Sequence, residues 1–203
     1  MKELINKIIL KVRWLLRRNH VVPDISKKRE VIDYYRELYK PKIMVETGTF
    51  FGDTVEEFKN KFEKVISIEL SKELAQKASK RFAGDQNVTI LQGDSSKVLS
   101  SLLAEIKSPV LFWLDGHYSS EFFINEAFIQ TAKGERNTPI EKELDIIFQS
   151  SVESVILIDD ARLFTGQDDY PTIKEIKKKV KEYKIESKVF VNKDIIIIIP
   201  KRK

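Results

Sequence analysis

Acidic residues recur at one kind of place in this chain. Glu46, Glu69, Asp115 and the pair Asp159-Asp160 each close a short apolar run, and Asp94 follows another such run closely. If those runs are strands of one parallel sheet, their ends share an edge and the acids converge on one crevice. A carboxylate there accepts hydrogen bonds from hydroxyl groups, and one at the end of the second strand stands where a ribose diol is gripped. Several carboxylates together also suit a hard divalent cation, which prefers oxygen ligands. A buried carboxylate needs a partner, so ordinary packing does not account for acids at five strand ends. Any single one could be a helix cap, Asp94 first among them. His117 lies two residues after Asp115, and its unperturbed pKa suits proton transfer, which makes it a candidate general base. The competing reading is a loop histidine that supports its neighbours.

The elements that must position these groups begin with Ile43–Glu46, mostly apolar and read as a buried strand. Thr47-Gly48-Thr49-Phe50-Phe51-Gly52 turns the chain, and Val55, Phe58 and Phe62 at helical spacing predict a helix from Asp53. Gly48 and Gly52 would let the backbone approach a ligand, because no Cβ intervenes. Lys64–Glu69 is a second strand, and Ser71 caps a helix to about Phe82. Val88–Leu91 is a third strand, and Gly93-Asp94-Ser95-Ser96 opens a helix to about Ile106. Val110–Leu114 and Val155–Ile158 are the fourth and fifth strands. Thr138-Pro139-Ile140-Glu141 reads as a capping box with proline at the first helical position, and Pro171 opens a further helix to about Tyr183. Ahead of the first strand, Ser26 caps a helix through Tyr39, with Ile32, Tyr35 and Leu38 inward. The tail pairs Ile185–Val191 with a run of isoleucines whose two apolar faces place it inside the sheet. The whole predicts an α/β fold, a doubly wound Rossmann-like seven-stranded sheet with an antiparallel last strand. Residues 116–137 form a long aromatic connection at the carboxyl edge, read as a lid. Lys133, Arg136 and Arg162 could bind an acidic acceptor, although a solvated surface explains Lys133 better.

Charge is unevenly distributed. Six basic residues, Lys2 to Arg18, face Glu3 alone in residues 1–20, and the rest of the chain holds 30 basic and 30 acidic side chains. The net charge of +5 therefore belongs to the N-terminal segment, and no nucleic-acid role is expected of the body. Residues 1–20 read as a basic amphipathic helix, too charged to span a bilayer and followed by no cleavage site of a secretory signal. Such a helix packs on its own fold or in an oligomer, or rests on an anionic membrane or a partner protein. The first reading is preferred. Absence of cysteine excludes disulfides and thiolate zinc sites, consistent with a cytoplasmic protein that could be peripheral to a membrane.

Glu-Thr-Gly-Thr-Phe-Phe-Gly-Asp-Thr at 46–54, Ile-Glu-Leu-Ser at 68–71 and the acids that follow resemble the class I S-adenosylmethionine-dependent methyltransferases. The pattern is similar to the metal-dependent O-methyltransferases of the catechol and caffeoyl-CoA type. Leu-Asp-Gly-His-Tyr and Ile-Asp-Asp also resemble the macrocin-type sugar O-methyltransferases. The resemblance covers residues 41 to 200, and residues 21–203 are taken as the cofactor-binding domain. It implies S-adenosylmethionine contacts from Glu46, Gly48, Thr49, Phe50, Gly52, Glu69, Leu70, Asp94, Ser95 and Asp115. It also implies a divalent metal, magnesium, held by Asp115, Asp159 and Asp160. The acceptor would be a hydroxyl of a small molecule or sugar, with Asp115 and His117 catalytic. Asp159-Asp160 could instead hydrogen-bond an acceptor or cap a loop. One departure is plain: the catechol type places a lysine base three residues after the fourth-strand aspartate, where this chain has Tyr118.

The same residues admit two rival readings. A nicotinamide enzyme needs G-x-G-x-x-G after the first strand, and Phe50 occupies the place of its middle glycine, without which the backbone cannot approach a pyrophosphate closely. A non-catalytic cofactor-binding or scaffold protein, using its basic helix on a membrane or partner, gains a little from the missing lysine and loses from the intact acids.

Overall fold

Residues 25–118, 121–124, 127–130, 132, 134 and 136–201 are described by a computed structural model. The amphipathic segment 1–20 and Lys133 lie outside the described residues. Within them the order is α1 (Ile25–Tyr39), β1 (Ile43–Thr47), α2 (Asp53–Phe58), β2 (Lys64–Glu69), α3 (Lys72–Arg81), β3 (Val88–Gln92), α4 (Ser95–Glu105) and β4 (Val110–Leu114). There follow β5 (Glu121–Ile124), β6 (Ala127–Gln130), α5 (Ile140–Gln149), β7 (Ser154–Ile158), a 3-10 turn (Ala161–Leu163), α6 (Ile173–Glu182), β8 (Ser187–Asn192) and β9 (Ile195–Pro200).

Successive strand residues point to opposite faces of a sheet, and here both faces are covered. Val45, Ile66, Phe112, Ile156 and Ile198 face a layer containing Leu99 and Leu103 of α4, Leu144 and Ile147 of α5, and Ile176 and Val180 of α6. Met44, Val65, Leu111, Leu157 and Ile197 face Val31, Ile32 and Tyr35 of α1 and Val55 and Phe58 of α2. The sheet runs β3-β2-β1-β4-β7-β9-β8, as the doubly wound reading expects. β3, β2, β1, β4 and β7 are parallel, and β9 lies antiparallel between β7 and β8. Placing β9 inside the sheet hides its isoleucines, Ile195 to Ile198 being at most 2% exposed. The order of strands reverses between β1 and β4, and the crevice outside that reversal is where such sheets bind ligands.

Caps fix where helices begin. Ser71 accepts the Leu74 N–H, Asp94 accepts the N–H and hydroxyl of Ser96, and Thr172 and Glu175 form a reciprocal capping box. At α5 the Thr138 hydroxyl accepts the Ile140 N–H, but Glu141 pairs with Arg136 at 3.1 Å. The second helix is shorter than its spacing predicts. It ends at Phe58, and the Asn87 side-chain amide donates to the carbonyl of Lys59 at 2.6 Å, stabilising the turn that follows. Phe62 remains buried all the same.

The 116–137 connection contains a hairpin of its own, β5 pairing antiparallel with β6 as a separate two-stranded sheet. Two short β-prone runs, Phe122-Phe123-Ile124 and Phe128-Ile129, were the sequence signal for it. The ends of the connection meet where the Tyr118 N–H donates to the Asn137 carbonyl at 2.7 Å. Among the described residues, no helix is long and apolar enough to cross a membrane.

Candidate functional site

Register brings the acids to one edge. Thr47 pairs with Ile68 and Leu114, and Leu114 with Ile158, so the next residues, Gly48, Glu69, Asp115 and Asp159, leave the sheet side by side. A cleft of about 220 Å³ opens there. Its wall includes Gly48, Phe50, Glu69, Leu70, Asp94, Ser95, Asp115 and His117, with Gly134, Arg136 and Asn137 of the 116–137 connection and the adjoining Thr138 closing it. Eight of the residues singled out from sequence therefore share one cavity.

Glu69 is held at two points. Its Oε2 accepts the Phe50 N–H and its Oε1 the Ser71 N–H, both at 2.8 Å. Phe50 adopts φ 50°, a left-handed conformation uncommon outside glycine, and so aims its N–H at the carboxylate. Each carboxylate oxygen has a second lone pair, so Glu69 can still accept from a diol in the cleft. Gly48, at φ 87°, closes against β4: a Cβ there would stand 2.5 Å from the Asp115 carbonyl oxygen.

Three of the expected cofactor residues lie behind this wall. Gly52, at φ 82°, packs against the Phe82 ring, which a Cβ would meet at 2.6 Å, so its role here is packing. Glu46 is inside β1, on the same face as Met44, and is 2% exposed. The Ser67 hydroxyl donates to Glu46 Oε2 at 2.5 Å, and Thr49 and Ser67 exchange a hydrogen bond of 2.6 Å. Burial pushes the Glu46 carboxyl up to about 8 despite the Ser67 hydrogen bond.

On the other side of the cleft, His117 bridges two acids. Nδ1 lies 3.3 Å from Asp115 Oδ1 and Nε2 lies 3.1 Å from Asp160 Oδ2. Burial disfavours the imidazolium, but the Asp160 hydrogen bond and the neighbouring carboxylates outweigh it and raise the histidine's pKa. Both ring nitrogens face a carboxylate oxygen, so His117 links Asp115 at the cleft to Asp160 behind it. Asp115 is pushed up to about 8, by burial first and then by the Asp159 charge. Its side chain keeps 33% exposure, and water in the cleft moderates that push.

Asp159 and Asp160 stand outside the cleft wall, and their partners were not legible in the sequence. Lys28 of α1 reaches them through the fold, Nζ lying 2.7 Å from Asp159 Oδ2 and 2.8 Å from Asp160 Oδ1. Arg162 donates to Asp160 Oδ1 at 2.7 Å and also pairs with Asp194, which withdraws it from any acceptor. His117, then Lys28, hold the Asp160 carboxyl well below the usual carboxylate range despite its burial. Asp160 itself takes φ 56°, and its N–H donates to Asp159 Oδ1 at 2.7 Å. A further acid, Glu143 of α5, was missed by sequence reasoning because it reads as a surface helix position. It is 1% exposed, and burial raises it to about 7 against the Ser95 and Thr47 hydroxyls. It borders a void of about 10 Å³ shared with His117 and Asp159, room for one water at most.

This donor set does not fit a divalent ion. An ammonium already lies between the two aspartates, and magnesium would need their oxygens at about 2.0–2.1 Å in octahedral array. Among the described residues, no group of three or more Asp, Glu or His side chains is disposed to hold a metal.

No protein-family model and no curated protein matches the chain. Solved structures do. A Podospora anserina methyltransferase bound to S-adenosylhomocysteine shares the fold at TM-score 0.58 and 14% identity, over 95% of this chain and 88% of its own. The O-methyltransferase TomG from Streptomyces achromogenes, in complex with S-adenosylmethionine, follows at 0.57 and 14%, over 89% and 82%. The fold is that of the S-adenosylmethionine-dependent methyltransferases. A putative caffeoyl-CoA O-methyltransferase from Staphylococcus aureus shares the methyltransferase fold at 0.54 and 15%, over 98% of both chains.

Proposed function

We propose that the protein transfers a methyl group from S-adenosylmethionine to a hydroxyl of a small molecule or sugar. The observation that carries this reading is Glu69, held by two backbone N–H groups at the end of the second strand with its carboxylate edge in the cleft. A ribose diol would donate to it, Asp94 and Ser95 would border the adenine side, and Gly48 leaves room for the backbone to lie against the ligand. Glu46, Thr49 and Gly52 would support this wall from behind through the Glu46–Ser67–Thr49 chain.

Methyl transfer from a sulfonium is an in-line displacement, so alignment does most of the work. The new C–O bond forms as the C–S bond breaks, its electron pair remaining on sulfur. Asp115, the acid of the bridged trio that opens on the cleft, stands nearest to receive the acceptor's proton, and His117 positions it. The 116–137 connection would cover the acceptor as a lid, with Arg136 at its rim. Residues 21–203 would act as the cofactor domain and residues 1–20 as an appended basic helix.

Calorimetric titration with S-adenosylhomocysteine tests the reading. Binding with one site per chain, followed by S-adenosylhomocysteine release in an acceptor screen, is the expected result. No binding would remove it, and binding without turnover on any acceptor would leave the scaffold reading.

A further inference from the structure

Lys28 lies 131 residues from Asp159 in sequence, yet its ammonium is buried against both Asp159 and Asp160. Its placement is built, not incidental. Lys28 is on the face of α1 that carries Val31, Ile32 and Tyr35 into the core, so the helix cannot withdraw it without losing those contacts. The oxygens around it are also accounted for. Asp159 Oδ1 takes the Asp160 N–H and Oδ2 takes Lys28; Asp160 Oδ1 takes Lys28 and Arg162, and Oδ2 faces His117. A divalent cation would have to expel one fixed cation while sitting beside another.

We propose that the Lys28 ammonium permanently fills the place a divalent cation would take between Asp159 and Asp160, so that methyl transfer here needs no metal. Lys28 is then a positioning residue. It fixes Asp160, which fixes His117 and through it the Asp115 carboxylate at the cleft. The part of this inference that concerns methyl transfer rests on the proposed function, whereas the exclusion of a metal from the aspartates does not.

Manganese is a suitable probe because its paramagnetic signal disappears on binding. With wild-type protein at about 1 mM Mn2+, which fills even weak oxygen-ligand sites, the free-ion signal should be undiminished. Lys28→Met should take up about one Mn2+ per chain, and adding Asp159→Asn should abolish that uptake. Stoichiometric Mn2+ binding by the wild type, lost in Asp159→Asn, would overturn the proposal whether or not Lys28→Met folds. So would a folded Lys28→Met chain that takes up none. Lys28→Arg, which keeps the charge, should exclude Mn2+ as the wild type does, an outcome that loss of packing alone would not produce. S-adenosylhomocysteine titrated with EDTA and with Mn2+ should give affinities within about twofold of one another. Failure of that ligand to bind at all would count against the proposed function, and the Mn2+ arms would still judge the lysine.

Discussion

The Phe50 N–H reaches Glu69 Oε2 at 2.8 Å, which makes the turn after β1 and the end of β2 a single unit. A left-handed residue in that turn and a carboxylate on the neighbouring strand hold each other, and together they form the cofactor side of the cleft. Glu69→Ala removes both the proposed diol acceptor and the anchor of the turn. Hydrogen bonds to a charged group contribute about 1.5–3 kcal/mol each, so S-adenosylhomocysteine affinity should fall roughly 10- to 100-fold. Calorimetry measures it directly, and unchanged affinity would refute the assignment of Glu69.

Gly48→Ala should harm both stability and binding. Its φ of 87° and the 2.5 Å approach to the Asp115 carbonyl leave no place for a methyl group. Backbone strain of this kind costs about 1–3 kcal/mol before the clash is counted, or roughly 2–12 °C in Tm for a chain of this size. A thermal melt within about 1 °C of wild type, equivalent to roughly 0.25–0.5 kcal/mol, would contradict it.

The contribution of the buried carboxyls to stability should decline as pH rises from about 4.5 to about 8. The folded Glu46 carboxyl titrates at about 8 against an ordinary value of 4.5, so the folded state binds the proton more tightly than the unfolded one. Its contribution is complete below the unfolded value and is lost as pH rises through about 8. Glu143, raised to about 7, and His117, also raised, act in the same sense. Melting temperature should therefore be lower at pH 9 than at pH 6, with about 2–4 °C for each kcal/mol lost. Glu46→Gln, which can still accept from Ser67, should make the decline shallower. Parallel curves for the two proteins would show that Glu46 is not the source.

Removing Lys28 should unsettle the fold more than a surface lysine would. Asp160 keeps Arg162, but the buried Asp159 carboxylate loses its ammonium, which costs about 3–5 kcal/mol, and chemical denaturation should show that loss in Lys28→Met. Asp159→Asn in the same chain should restore part of it, because the uncompensated charge is then gone. Additive losses in the double-mutant cycle would mean that the pair does not interact.

Deleting residues 1–20 should leave S-adenosylhomocysteine affinity unchanged if that segment is an appendage, since the described cleft is lined from Gly48 onward. A truncated chain that no longer folds would place that helix in the core.

The local grammar of the chain was enough to order the strands and helices, to bury β9 and to put acids at strand ends. Those features depend on period, caps and turn residues within a few positions of each other. Ser71 and Asp94 cap helices where their types suggest, whereas Ser26 lies inside α1 and the cap of α6 is Thr172, one residue after Pro171. What each acid does was decided only by the tertiary structure. Glu46 and Glu69 look alike in sequence, but Glu46 lies two residues before the cleft edge and points to a covered face, whereas Glu69 leaves its strand at that edge. Asp159 and Asp160 read as metal ligands until α1 brings Lys28 between them. A sequence pattern carries the period of its own element but not the identity of what packs on it from far along the chain, and the charge state and partners of a buried group are set by that packing.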